Sequence, residues 1–315
     1  MTDYLIVAEA VISVLSVICN AILVFVILAT RRLRNNTNYL VANIAVADML
    51  TGLVSLPLDI IAIVVPEWTE GNWIQCILTY SVIMFILWAS LFSVLAITCE
   101  RFWAIVYPFS YQKHVTRNVV LIVIGVMYVA SFLLALPTPL SWVNGRSPDI
   151  MWCFGYQSST PPEIGIPSFI GIMVICTITA GMNFKIMRVA QIQSAKIAAI
   201  DAVVTSGKKT KFSKEKRITL FLSFVALYFV ISWITLLVQI TLAYFQIETP
   251  MELWTFSITF AFSNAALNPI IYGMGQGQYR RAFLRLCCKK SSIAPEESGT
   301  AMSVPSNTLE TTTKP

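Results

Sequence analysis

Charged side chains are scarce in this chain: Asp, Glu, Lys and Arg make up 12% of its 315 residues. A soluble domain carries roughly 25%, so a surface wetted on all sides is excluded. Histidine occurs once, at His114, and no metal cluster, nucleophile elbow or phosphate loop stands out. Those absences argue against an enzyme. Transporters and channels usually need several charges along a central path, or an internal repeat. Here Asp48 is the one acid clearly in mid-membrane, and no repeat is visible. Residues Met1–Tyr4 hold no Lys or Arg, so no cleavable signal peptide is expected and the first apolar run reads as a signal anchor.

What is present is apolar. The mean hydropathy is +0.72 and 57% of residues are hydrophobic. Seven long stretches run roughly over Leu5–Thr30, Tyr39–Val65, Trp73–Ala104, Val119–Trp142, Ile164–Met187, Ile218–Tyr244 and Leu253–Met274. Each exceeds the roughly 20 residues that cross ~30 Å of hydrocarbon as a helix. Helices satisfy their own backbone polar groups in lipid, whereas open strands do not. The fold class expected is therefore an all-α membrane protein, a seven-transmembrane helix bundle.

The basic residues orient it. Of 22 Lys and Arg, only Arg146 lies outside the loops after spans 1, 3 and 5 and the tail. The N-terminus is expected outside and the C-terminus in the cytoplasm, in the plasma membrane. Residues 1–4 form a short extracellular N-terminus, 5–290 the membrane domain, and 291–315 a Ser/Thr-rich tail too polar to fold. The positive charge thus follows the bilayer, and no nucleic-acid partner is expected. Cys76 and Cys153 face the oxidising side, where a disulfide is plausible. Cys287 and Cys288 follow an amphipathic cytoplasmic segment and are palmitoylation candidates. Cys19, Cys99 and Cys176 read as buried spacers.

Polar residues inside a membrane are functional candidates by default. Asn20, Asp48, Ser90, Asn264 and Asn268 fall within the spans. If they converge, their hard oxygens suit a sodium ion. The competing reading is a protonated Asp48 held by hydrogen bonds between helices. Glu100-Arg101-Phe102 closes span 3, and alone it is a snorkelling interfacial pair. Asn268-Pro269-Ile270-Ile271-Tyr272 is more specific: Pro269 removes a backbone donor, and Asn268 is expected to bond the carbonyls this frees.

Taken in order, these motifs resemble the rhodopsin-like (class A) family of G-protein-coupled receptors, over about residues 5–290. Asn20 and Asp48 match the family's residues in helices 1 and 2. Cys76 stands at the family's spacing ahead of Arg101. Glu100-Arg101-Phe102 takes the place of Asp-Arg-Tyr, and Ser232-Trp233-Ile234-Thr235 that of Cys-Trp-x-Pro. Asn268 to Tyr272 is a full Asn-Pro-x-x-Tyr, and Gln278 to Phe283 resembles the family's short cytoplasmic helix 8. The resemblance implies a receptor that catalyses nucleotide exchange on a heterotrimeric G protein through movement of helix 6. It makes Arg101 the switch residue, paired with Glu215 in the inactive state, and Pro108-Phe109 the contact with the G protein. Tail phosphorylation by a receptor kinase would recruit arrestin.

The departures weaken one expectation. Tyr128 replaces a tryptophan, Ile175 a helix 5 proline, Asn183 a helix 5 tyrosine and Thr235 the helix 6 proline. Activation is expected to be weaker or differently balanced, which keeps open a receptor-like protein that acts through partners with little signalling. Thr235 could bend its helix by bonding back to a carbonyl.

The ligand is not named by the sequence. By resemblance, Ile83 stands where amine receptors place an aspartate, Phe262 where opsins place a lysine, and Ile240 where adenosine receptors place an asparagine. Span 2, span 4 and Pro57 otherwise read most like amine and adenosine receptors. The expected pocket is lined by Ile83, Met84, Leu87, Trp88, Trp233, Leu236, Leu237, Ile240, Ile258 and Phe262. It suits an apolar small ligand, or it is simply packed core. Asp59 is the one acid near its mouth, a candidate partner for a cationic ligand. The preferred reading of Asp59 is nonetheless a solvent-facing residue at a helix end. No cofactor is expected beyond sodium as a modulator.

Overall fold

The protein is described from a computed structural model, over residues 2–65, 73–137, 140, 162–204, 227–242, 245, 247, 249–275 and 277–287. In chain order the helices are α1 (Thr2–Ala29), α2 (Asn36–Val64), α3 (Trp73–Val106), the short α4 (Pro108–His114), α5 (Arg117–Ala135), α6 (Pro162–Val204), α7 (Leu227–Leu242), α8 (Met251–Gly275) and α9 (Gly277–Cys287). Five of them, α1, α2, α3, α5 and α6, are by themselves long and apolar enough to cross a membrane. With α7 and α8 they make the seven expected spans.

Local sequence sets the helix ends. The Asn35 side chain accepts from the Asn38 N–H at 2.9 Å and caps α2. Thr116 does the same for Val119 at the start of α5, at 3.4 Å. Such caps satisfy the donors that a helix N-terminus leaves unpaired. Pro108 opens α4, where a missing N–H matters least. Some helices run past the apolar stretches read from the sequence. Thus α1 starts at Thr2, ahead of Leu5, and α6 continues to Val204, far beyond Met187.

Burial separates bundle-facing from lipid-facing positions. Along α5 only Val120, Met127, Ser131 and Ala135 are buried. They recur at seven, four and four residues, one stripe of a helix. Ile122, Val126, Val129 and Phe132 on the other faces are apolar and exposed, as lipid requires. Cys99, expected as a buried spacer, is also exposed, and only Cys176 is buried.

The core has two halves. The inner half packs α1, α2, α3, α5 and α9 around Ile27, Val41 and Ile44. The outer half packs α3, α6, α7 and α8 around Trp88, Leu91 and Trp233. Between α1 and α2 the packing depends on one glycine. A Cβ on Gly52 would lie 2.7 Å from the Ser13 carbonyl oxygen and 2.8 Å from Ser16 Cβ. The bare backbone lets Ser13 Oγ donate to the Gly52 carbonyl at 2.6 Å instead. Small residues at a crossing are what bring membrane helices together when lipid offers no hydrophobic drive. Gly52 also lies in a π turn, Thr51–Ser55, that interrupts α2 just before Pro57. Proline cannot donate to the preceding turn and crowds it; the wider π turn gives it room.

Candidate functional site

An outer cavity opens between α2, α3, α6, α7 and α8, with about 1110 Å³ of empty space counting its mouth. Asp59, Ile83, Met84, Leu87, Trp88, Trp233, Leu236, Leu237, Ile240, Ile258 and Phe262 all line it. So do Tyr80, Leu134, Ser168, Phe169, Ile172 and Trp254, which sequence reasoning missed. Ser168, Phe169 and Ile172 sit on α6, and Gly171 between them admits the Trp88 ring, whose tip would be 3.3 Å from a Cβ there. The pattern of apolar residues alone does not say which of them turn inward.

Asp59 corrects its preferred reading. It is buried, with 6% of its surface exposed, and it faces the cavity rather than solvent. A second acid, Glu9 of α1, is wholly buried and was missed. Its Oε1 accepts from Thr259 Oγ1 of α8 at 2.7 Å, across 250 positions of sequence. Asp48 is therefore not the only acid within the bundle.

Below the cavity lies a polar layer. A small second cavity is lined by Asp48, Ser90 and Asn264 among others. Leu87, Trp233 and Phe262 face both cavities and form the partition. Asn268 Nδ2 donates to Asp48 Oδ2 at 2.7 Å, so its amide goes to the carboxylate and not to carbonyls freed by Pro269. Asn264 donates to Ser232 Oγ and to the Ala261 carbonyl, leaving its Oδ1 buried without a partner among the described residues. Asn20 does not line this cavity: its Nδ2 donates to the Ala265 and Ser16 carbonyls at 2.7 and 2.8 Å, and its Oδ1 is likewise buried without a partner among the described residues. One carboxylate, a hydroxyl and an unpaired amide oxygen thus face one small space. These are hard oxygen donors and fit a small monovalent cation, with Asp48, Ser90 and Asn264 as its holders. Asn20 and Asn268 fit as struts around it. When bound, such an ion supplies the positive charge that lets Asp48 remain ionised.

Side chains here bond back to the carbonyls of their own helices. Thr235 Oγ1 donates to the Ser232 carbonyl at 2.8 Å, and Ser232 Oγ to that of Phe229 at 2.9 Å. Asn183 spends its amide on the Thr179 carbonyl of its own helix at 2.8 Å. Trp233 keeps a buried indole N–H without a partner among the described residues and packs on Phe229, ring centres 5.7 Å apart.

At the inner end, Glu100 gathers donors. Arg101 Nε lies 2.6 Å from its Oε2, and Arg101 Nη2, Thr37 Oγ1 and Tyr111 OH reach Oε1 at 2.7, 2.9 and 2.5 Å. Arg101 also donates to Thr37 Oγ1. The pair is thus a three-helix knot of α2, α3 and α4, more than a snorkelling pair at a helix end. Burial and the Glu100 carboxylate push the Tyr111 phenol up to about 12, so it stays a donor at any physiological pH. Phe102 faces α6, where Lys185 Nζ sits 5.6 Å from its ring centre. Beside the knot, Pro108 and Phe109 are exposed, Phe109 with 89% of its surface free. Tyr279 of α9 donates to Asn38 Oδ1 at 2.7 Å and ties that amphipathic helix to α2.

Several expected residues fall outside the described ones: Cys153, Glu215 and Cys288 altogether, and the side chains of Cys76, Tyr272 and Cys287. The backbone puts Cys76 in the first turn of α3, Tyr272 near the end of α8 and Cys287 at the end of α9.

An all-helical membrane bundle with an apolar cavity at one end and an arginine knot at the other defines a class of transmembrane receptor. The model of the 7 transmembrane receptor (rhodopsin family) matches residues 19–272, and the chain belongs to that family. Members of this family are not enzymes. Among its relatives, the D(1C) dopamine receptor of Xenopus laevis is 27% identical over 84% of this chain and 63% of its own length. The neuropeptide FF receptor 1 of Homo sapiens is 27% identical over 92% and 73%, and the somatostatin receptor type 4 of Rattus norvegicus 24% identical over 92% and 74%. The chain therefore spans between 63% and 74% of the length of these relatives, less than two thirds of the dopamine receptor.

Proposed function

We propose that this chain is a plasma-membrane receptor that passes the binding of an extracellular ligand to a heterotrimeric G protein. The observation that carries the reading is the shared partition: Leu87, Trp233 and Phe262 wall both the outer cavity and the Asp48 cavity. A ligand that shifts Trp233 changes the surroundings of Asp48 and Asn264 in the same motion. Ser232 hydrogen-bonds Asn264 of α8, so α7 and α8 must then rearrange together. The inner end of α7 moves outward, Arg101 leaves its knot and, with Phe109, meets the G protein. Release from Glu215 is part of that step. A two-state element of this kind responds to any ligand that favours one state.

The same reading puts the N-terminus outside, a Cys76–Cys153 disulfide over the cavity mouth and palmitate on Cys287 and Cys288. Sodium at Asp48 holds the inactive state, and a receptor kinase and arrestin act at the tail. Relatives named as dopamine, neuropeptide FF and somatostatin receptors support a small or peptidic ligand.

The test is G-protein activation in cells expressing this chain beside Arg101→Ala, across a panel of α subunits. A signal above background that the variant abolishes is the expected outcome. One observation favours the second reading, a receptor-like protein acting through partners: the Asn183 amide is already committed to its own helix. Silence across the panel at confirmed surface expression would favour it.

A further inference from the structure

Two acids buried in the outer half of the bundle have no basic partner among the described residues. Asp59 lines the cavity, and Glu9 is buried on α1, which packs against the helix segment that carries Asp59. Among the described residues the one ion pair is Arg101–Glu100, at the opposite end. Thr259 supplies a single hydrogen bond, to Glu9 Oε1. Glu9 Oε2 and Asp59 Oδ2 are buried and have no partner among the described residues. Buried carboxylates are normally paired or fully hydrogen-bonded, because desolvating them unpaired is expensive. An unpaired Asp59 oxygen beside an empty apolar cavity is therefore half of an interaction.

We propose that Asp59, reinforced by Glu9, is the cation subsite of the cavity, and that the ligand is an amphipathic ammonium. Its charged head sits on Asp59, and its apolar body lies along Leu87, Trp233 and Phe262. This rests on reading the cavity as the ligand site of a receptor. Ile83 on α3 offers no charge, so the cation is anchored on α2, against α1 and α8, and the ligand lies across the bundle from there. Aromatic walls suit it: Tyr80, Trp254 and Phe262 line the same space, and ring faces attract cations. Asp59 touches the ligand, whereas Glu9 acts through the field it adds and through its tie to Thr259. The two should not be equivalent.

The experiment uses the purified full chain in lipid nanodiscs and reads the thermal midpoint against concentration of 2-phenylethylamine, with 2-phenylethanol as its neutral counterpart. Because no G protein is involved, failure here leaves the receptor reading standing, and silence in the G-protein panel leaves this result intact. The amine should raise the midpoint at concentrations at least tenfold below those the alcohol needs. Asp59→Asn should abolish that preference, and Glu9→Gln should reduce it several-fold. Both variants without ligand should be at least as stable as the parent, since each replaces a buried carboxyl group that is costly to ionise there. Equal effects of amine and alcohol on the parent chain, or a preference that survives in Asp59→Asn, overturns the proposal. Should Asp59→Asn not reach the membrane, the comparison on the parent chain decides alone.

Discussion

Thr37 is the small residue on which the inner knot turns. It donates to Glu100 at 2.9 Å and accepts from Arg101. Thr37→Val keeps the shape of the side chain and removes both interactions. A hydrogen bond to a charged group contributes about 1.5–3 kcal/mol. Arg101 keeps both of its bonds to Glu100, and the site is only partly buried, so the lower end applies to the two lost bonds together. A loss of about 1.4 kcal/mol is a tenfold change in equilibrium. A resting active fraction of about 1% would become about 10%. The assay is ligand-independent nucleotide exchange on the α subunit that responds to the parent chain, at matched surface expression. Thr37→Ser retains the hydroxyl and should match the parent. If Thr37→Val also matches it, Thr37 does not restrain Arg101 and the account of the knot fails.

Three further outcomes follow from the geometry. Phe109→Ala removes a side chain that is almost fully exposed, so expression should hold while coupling falls about tenfold or more, as for an interface anchor; unchanged exchange rates would remove Phe109 from the contact. Gly52→Val drives a Cβ into the Ser13 carbonyl, and surface staining should be largely lost, with Gly52→Ala intermediate; normal staining of the valine variant would show that α1 can move aside. Asp48→Asn removes the one full charge of the small cavity, so ligand affinity should cease to depend on sodium. A sodium effect that persists in this variant would locate the ion elsewhere.

The spans were legible because bilayer thickness sets their length and apolar composition marks it. Arg101, Asp48 and Asn268 were legible from their spacing. Their bonds were not. Asn268 was expected to satisfy carbonyls near Pro269, a local choice, but it reaches Asp48 across 220 positions. Glu9 sits in the first apolar run, and its partner Thr259 lies at the far end of the chain; nothing in either neighbourhood connects them. Thr37 carried no signal in the sequence, since its role depends on α2 crossing α3 beside Glu100. Asp59 looked exposed because it lies in the last turns of its helix. Its burial follows from how α1 packs against its segment, a property of the bundle and not of the segment alone.

The π turn in α2 explains how one helix serves both ends. Each α-helical residue advances the facing direction by about 100°. Asp48 and Asp59, eleven positions apart, would lie within about 20° of each other on an unbroken helix. The wider turn at Thr51–Ser55 takes up one residue more than an α turn, so the outer half is out of phase with the inner by about one residue's rotation. The turn works like a gear between two shafts. The inner shaft keeps Asp48 in mesh with Asn268, and the outer one aims Asp59 and its neighbours independently. A change of one residue in the length of that turn would swing the outer half onto a different wall of the cavity and leave the switch untouched, a route by which a chain of this kind can change what it senses without changing how it responds.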